Sequence, residues 1–139
     1  MIREIKIEDI QIVSVMLRAM YLEVFGYTEA STDLKVYTND ILACMVDKSQ
    51  TILVDDNLRG FFIVKDISEP MLKTSRYQGT RVYIHPKHRN GRLLKEFYTY
   101  LFENFDGIIF GNTEITSPHL KVMDKRHKLV SKVYELVRR

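Results

Sequence analysis

"YIHPKHRNGRLLKEF", residues 83–97, is the stretch whose reading decides the fold. It closes an alternating strand, "TRVYIH" (80–85), passes Pro86 into a basic turn with one glycine, Gly91, and enters a helix. That helix is expected from about Asn90 to Phe105, because Leu93, Leu94, Phe97, Tyr100 and Leu101 recur on one stripe. A strand feeding a helix through a short turn leaves backbone N–H groups unpaired at the helix N-terminus, where the dipole also favours negative charge. In "HPKHRNGR", Asn90 and Gly91 can take positive φ and aim successive amides inward, with Lys87, Arg89 and Arg92 as cations around them. A helix cap behind solvated basic residues explains the same letters, so the residues alone leave a phosphate seat and a plain corner both open.

The charge distribution sharpens the question. Residues 73–95 hold 7 basic and no acidic residues, a balance of +7, whereas 1–72 hold 7 basic against 12 acidic, a balance of −5. The stretch 96–118 stands at −4, and 119–139 carries 7 basic against 2 acidic residues, or +5. Two basic blocks inside a net charge of only +3 suit a polyanionic ligand or nucleic acid as well as a solvated face. A chain of 139 residues, 45% apolar and 28% charged, fits one globular domain over 1–139 with a single core. No apolar run approaches the ~20 residues that span a bilayer. "MIREIKIEDI" (1–10) lacks the apolar centre of a secretory signal, so a cytoplasmic protein is expected. The single cysteine, Cys44, reads as a small buried helix residue.

Outward from the opening stretch, the elements follow from period and punctuation. "IREIKI" (2–7) alternates as a strand, and a helix follows from Glu8 and Asp9 to about Phe25 with Ile10, Val13, Met16, Leu17 and Met20 inward. After "GYTEAST" (26–32) a second helix, capped near Asp33, carries Leu34, Tyr37, Ile41, Leu42 and Met45 toward Asp47. "TILVDDNLRGFFIVKD" (51–66) reads as a hairpin around Asp55, Asp56 and Asn57, followed by a polar loop, "ISEPMLKTSRYQG" (67–79). "GIIFGN" (107–112) reads as a short buried strand in the middle of a sheet. A short helix from Pro118 to about Arg126 and a strand at 129–137 close the order β α α β β β α β α β.

Several motifs are tested and set aside. "RGFFIV" (59–64) partly matches the basic-Gly-aromatic run of an RNA-recognition strand, but Phe62 stands where Gly or Ala belongs and the first strand has no aromatic partner. Core aromatics are the better account, so nucleic-acid binding is a possible but not a favoured reading. His85, His88, His119 and His127 lack the spacing and companions of a four-ligand shell, and no metal is expected. G-x-S-x-G, Walker and G-x-G-x-x-G patterns are missing.

Taken together, the arrangement resembles the GNAT superfamily of N-acyltransferases over nearly the whole chain. The resemblance rests on the strand and two helices, the "DDNLRGFFIV" hairpin (55–64), "VYIHPKHRNGRLLKEFYTYLFENF" (82–105) and "IIFGN" (108–112). It implies an α+β fold in α/β/α layers, with a mixed, mostly antiparallel central sheet flanked by helices. In that family an R/Q-x-x-G-x-G/A turn binds the pyrophosphate of acetyl-CoA through its amides. "IHPKHRNGRLL" looks like a shortened version that keeps Ile84, Pro86, Arg89 and Gly91 with one glycine. The resemblance therefore implies CoA binding by the backbone of Arg89, Asn90, Gly91 and Arg92, with Ile84 and His85 beside the pantetheine.

The same resemblance implies an acetyl-CoA-dependent N-acetyltransferase whose partners are a CoA thioester and an amine acceptor. His85 is the candidate base, since an imidazole titrates near neutrality, and Tyr83 the candidate acceptor-pocket residue. Asn112 matches an Asn that follows the family's fifth strand, where it would orient substrate or cap a helix. The family's helix tyrosine has no match: Met123 or Asp124 lies near its position, and Tyr134 falls in the next strand. Trimmed chains of this outline are similar to GNAT-like proteins of tailed-phage genomes, some of them virion components. A catalytically inactive binding or structural protein is the alternative expectation.

Overall fold

In the computed structural model, which describes residues 1–111 and residue 136, a five-stranded sheet runs β1 to β5 in sequence order. The elements are β1 (Ile2–Glu4), α1 (Ile10–Phe25), α2 (Leu34–Val46), β2 (Gln50–Asp55), β3 (Gly60–Asp66), β4 (Arg76–Ile84), α3 (Arg92–Asn104) and β5 (Ile108–Gly111). Neighbours pair antiparallel from β1 to β4, and β5 joins β4 in parallel. A parallel pair needs a crossover, and α3 supplies it. The layered, mostly antiparallel α+β architecture expected from the sequence is the one observed.

The run "FFIV" (61–64) is apolar throughout because both faces of β3 are covered, and side chains alternate between them. Phe61 and Ile63 pack with Val13, Leu17, Tyr37 and Ile41 beneath α1 and α2. Phe62 and Val64 pack with Leu93, Leu94, Phe97 and Leu101 beneath α3, the Phe62 and Phe97 ring centres 5.8 Å apart. Both aromatics of "RGFFIV" are thus core residues, with Phe61 fully buried and Phe62 nearly so.

Two strand boundaries differ from expectation, each for a physical reason, and two burial expectations differ as well. The first strand ends at Glu4, because the buried Asp9 carboxylate accepts from Arg3 (2.7 and 3.2 Å) and from the Lys6 N–H (2.8 Å). Those bonds fold Ile7–Asp9 into a 3-10 turn and leave Ile7 exposed. The fourth strand starts at Arg76, inside the segment read as loop. Gly79 looks like a breaker there, yet a Cβ on it would lie 2.9 Å from the Phe62 ring, so the strand needs a glycine where the aromatic crosses. β5 is less covered than a central strand: Ile108 is exposed, and Ile109 and Phe110 are half-buried. Leu42, expected inward, is exposed on α2, whereas Cys44 is buried as expected.

The hairpin is as expected, and its corner is locked. Asp55, fully buried, accepts from the Arg59 N–H and from Arg59 Nε, both at 2.7 Å. Asp33 caps α2 by accepting from the Lys35 N–H at 3.0 Å. Among the described residues no helix is long and apolar enough to cross a membrane. The expected helix at 118–126 and, apart from Leu136, the expected strand at 129–137, together with Asn112, His119, His127 and Tyr134, lie outside the described residues.

Candidate functional site

The end of β4 and the turn into α3 are built from few backbone bonds. The His85 N–H donates to the Arg59 carbonyl at 2.8 Å, carrying the β3–β4 ladder one residue past the strand. Pro86 then opens a 3-10 turn, Pro86–His88, in which His88 N–H reaches the His85 carbonyl at 2.8 Å and Arg89 N–H the Pro86 carbonyl at 3.5 Å. Asn90 Oδ1 accepts from the Arg92 N–H at 3.1 Å, and the Lys95 N–H donates to the Gly91 carbonyl at 3.1 Å. Gly91 stands immediately before α3 with φ 86°, left-handed as its sequence context suggests. This bonding leaves the amides of Asn90, Gly91, Leu93 and Leu94 without a protein acceptor among the described residues. Four such donors at the N-terminus of a 13-residue helix are groups that can bind an anion.

Arg89 behaves differently from the expected phosphate cation. Its Nε donates to the Ile84 carbonyl at 2.7 Å, and its two terminal nitrogens donate to the Glu23 carboxylate at 2.6 and 2.7 Å. The guanidinium carbon also lies 5.3 Å from the centre of the Tyr83 ring. The Glu23 hydrogen bonds raise the Arg89 pKa further above its ordinary value. A balance taken over 73–95 counts Arg89 as free charge, but its counter-charge comes from 66 positions earlier. Lys87 and Arg92 make no ion pair among the described residues, so they are the cations left at the turn.

The remaining expected residues divide by layer. Ile84 is buried against α3, and its carbonyl serves Arg89. Tyr83 faces the opposite layer: it is 5% exposed, its ring stacks on Phe61 at 6.3 Å between centres, and burial pushes its hydroxyl pKa up. His85 is exposed, and its Nδ1 accepts from the Lys87 N–H at 3.2 Å. A neutral imidazole held this way carries its proton on Nε2, so acting as a base requires release of that amide. The structure therefore gathers Ile84, His85, Arg89, Asn90, Gly91 and Arg92 in one turn and turns Tyr83 into the core. Sequence reasoning missed Glu23. Its signal is a lone charge in the otherwise uncharged run "AMYLEVF" (19–25).

A second polar cluster ties β4 to α2. Arg81 pairs with Asp40 and donates to Cys44 Sγ at 3.1 Å, while the thiol donates to Gln50 Oε1 at 3.4 Å. Burial pushes the Cys44 thiol up, so this cysteine is a packed donor and acceptor instead of a nucleophile. No group of three or more metal-ligating side chains occurs among the described residues.

Comparison with known proteins rests on structure alone: no family model matches the sequence, and no curated protein matches it. Among solved structures, a possible acetyltransferase from Clostridium difficile 630 superposes with a TM-score of 0.75 at 13% identity, covering 99% of this chain and 96% of that one. A ribosomal-protein-alanine N-acetyltransferase from Brucella melitensis biovar Abortus 2308 gives 0.70 at 20% identity, over 99% and 97% of the two chains. A GNAT family acetyltransferase from Staphylococcus aureus subsp. aureus USA300_TCH1516 gives 0.66 at 14% identity, over 100% and 97%. Identities this low speak for the fold, and the fold is that of the GNAT acetyltransferases.

Proposed function

We propose that this chain is an acetyl-CoA-dependent N-acetyltransferase acting on an amine. The observation that carries the reading is the set of unpaired amides at Asn90, Gly91, Leu93 and Leu94, opening α3 at the end of β4 in a GNAT fold. Those donors fit a pyrophosphate, and Lys87 and Arg92 stand beside them to offset its charge. Residues 84 and 85 then lie along the pantetheine.

The chemistry asked of the protein is limited. The amine nitrogen bonds to the acetyl carbon, the C–S bond breaks, and the departing thiolate takes up a proton while the amine gives one up. Holding the two reactants together supplies much of the acceleration. His85 is the proposed acceptor of the amine proton, on Nδ1, once Lys87 N–H lets go, and Asn112 the proposed orienting residue. The acetyl group comes from the thioester, and no metal is required.

A thermal-shift titration with acetyl-CoA tests the reading, since a ligand that binds the native state must raise its stability by mass action. A rise in melting temperature that saturates with acetyl-CoA, together with release of free thiol when amines are added, is expected. No shift at millimolar acetyl-CoA sinks the reading and leaves the catalytically inactive GNAT-fold protein.

A further inference from the structure

We infer that Glu23 is a positioning residue for the phosphate turn: its bidentate pair commits Arg89 to bracing the turn instead of binding an anion. The inference rests on the acyl-CoA reading and assigns a residue to that site from outside the turn.

From Arg89 to the start of α3 the turn is weakly held by its own backbone. One short backbone bond, from His88 N–H to the His85 carbonyl at 2.8 Å, holds its start; after it the Arg89 N–H to Pro86 bond is 3.5 Å long, and the next backbone bond is the one from Lys95 to Gly91 that opens α3. The Arg89 side chain supplies the missing constraint. From a single residue it reaches back to the Ile84 carbonyl, across to α1 through Glu23, and over the face of Tyr83. The fork geometry of guanidinium against carboxylate fixes direction as well as distance. Both side chains are only partly exposed, 25% for Arg89 and 32% for Glu23, so water screens the pair incompletely.

Swinging Arg89 toward a bound phosphate would break all three contacts and uncover the face of Tyr83. Keeping Arg89 in place leaves recognition to the amides of residues 90–94 and to Lys87 and Arg92. Glu23 therefore acts at a distance: by fixing Arg89 it fixes where Asn90 and Gly91 aim their N–H groups.

The two roles for Arg89 give opposite signs when Glu23 is neutralised. If Arg89 were a phosphate ligand, Glu23→Gln would remove its competitor and tighten CoA binding. If Arg89 is a brace, the same change weakens binding. Calorimetric titration of wild type and Glu23→Gln with CoA should show Kd raised about tenfold, the order expected on losing a partly screened charge-assisted pair. KM for acetyl-CoA should rise with it while kcat stays within about twofold, the pattern of lost uniform binding. Glu29→Gln makes the same charge change on an exposed residue and should leave Kd unaltered. Arg89→Lys cannot form the fork and should reproduce the Glu23→Gln loss, which keeps the test decisive if Glu23→Gln fails to fold. Unchanged or tighter CoA binding in Glu23→Gln, or wild-type affinity in Arg89→Lys, overturns the inference. Absence of binding to the wild type overturns the acyl-CoA reading itself, a result distinct from wild-type binding that ignores these variants.

Discussion

The amide of His85 donates to the carbonyl of Arg59 at 2.8 Å, so the candidate phosphate turn hangs from the tip of the β2–β3 hairpin. That tip is fixed in turn by Asp55, a fully buried carboxylate that accepts both the backbone N–H and Nε of Arg59. Fold stability and site geometry therefore share a residue that lies in neither the turn nor a helix.

Asp55→Ala should be among the most damaging single changes in the described region. It strands the Arg59 N–H and leaves a half-buried guanidinium without its partner, a loss of about 3–5 kcal/mol for breaking a buried pair. Chemical denaturation should show a lowered midpoint with little change in slope. Asp55→Asn, which keeps an acceptor for the N–H, should lose less. Equal losses in the two variants would mean that the charge, and not the backbone bond, sets the corner.

Acid stability has a defined window. Asp9 is held below its ordinary value of 3.8, chiefly by its hydrogen bonds from Arg3, and Asp66 is lowered chiefly by Ser68. Asp47 is lowered to about 2 by hydrogen bonds from Gln50 and Ser49. A carboxyl lowered on folding stabilises the native state fully above its unfolded pKa and loses that contribution as pH falls through its folded pKa. The contribution of these three groups should thus be constant above about pH 5 and fall between about pH 4 and 2. Melting temperature measured across that range should fall less steeply in Asp9→Asn than in wild type. An identical profile would remove Asp9 from the account.

Two glycines should respond to alanine for different reasons. At Gly79 the new Cβ meets Phe62 at 2.9 Å inside a cluster that already holds Phe97, so overpacking of about 1–3 kcal/mol is expected. At Gly91 no atom of the described residues beyond its chain neighbours lies within 4 Å of the new Cβ, but φ of 86° puts an alanine in the left-handed region at about 1–2 kcal/mol. Gly79→Ala should lower the melting temperature and leave CoA affinity intact. Gly91→Ala should lower both, because relief of the strain rotates the amides that open α3.

These cases show what the sequence made legible. Period-two and period-3.6 patterns located the three helices and the hairpin, because each buries a regular stripe. The order of the elements, together with the 83–97 stretch, was enough to suggest the fold. Failures came where a local signal was overridden by a distant partner. Gly79 reads as a breaker until Phe62 is placed beside it, and the alternation of 2–7 continues past Glu4 until Asp9 draws the chain back. At the site the turn residues were proposed from their own types, but the pairing of Arg89 depends on Glu23, and no local rule connects positions 66 apart. Tyr83 was assigned to a pocket beside His85, whereas its ring enters the α1/α2 core.

The cations left at the turn lead to the last prediction. With Arg89 paired to Glu23, the long-range attraction that the turn itself can offer a polyphosphate comes from Lys87 and Arg92, both exposed. Exposed charges are screened over about 8–10 Å at ordinary ionic strength, so their contribution must fade as salt rises. CoA affinity of the wild type should therefore weaken between about 50 and 500 mM salt, where the screening length shortens severalfold. Lys87→Ala and Arg92→Ala should each weaken binding at low salt and flatten the salt dependence, and the double variant should flatten it most. At high salt all four proteins should converge, because the amides of residues 90–94 are untouched and bind by short-range hydrogen bonds. A double variant that keeps the full wild-type salt dependence would place the electrostatic attraction elsewhere on the molecule.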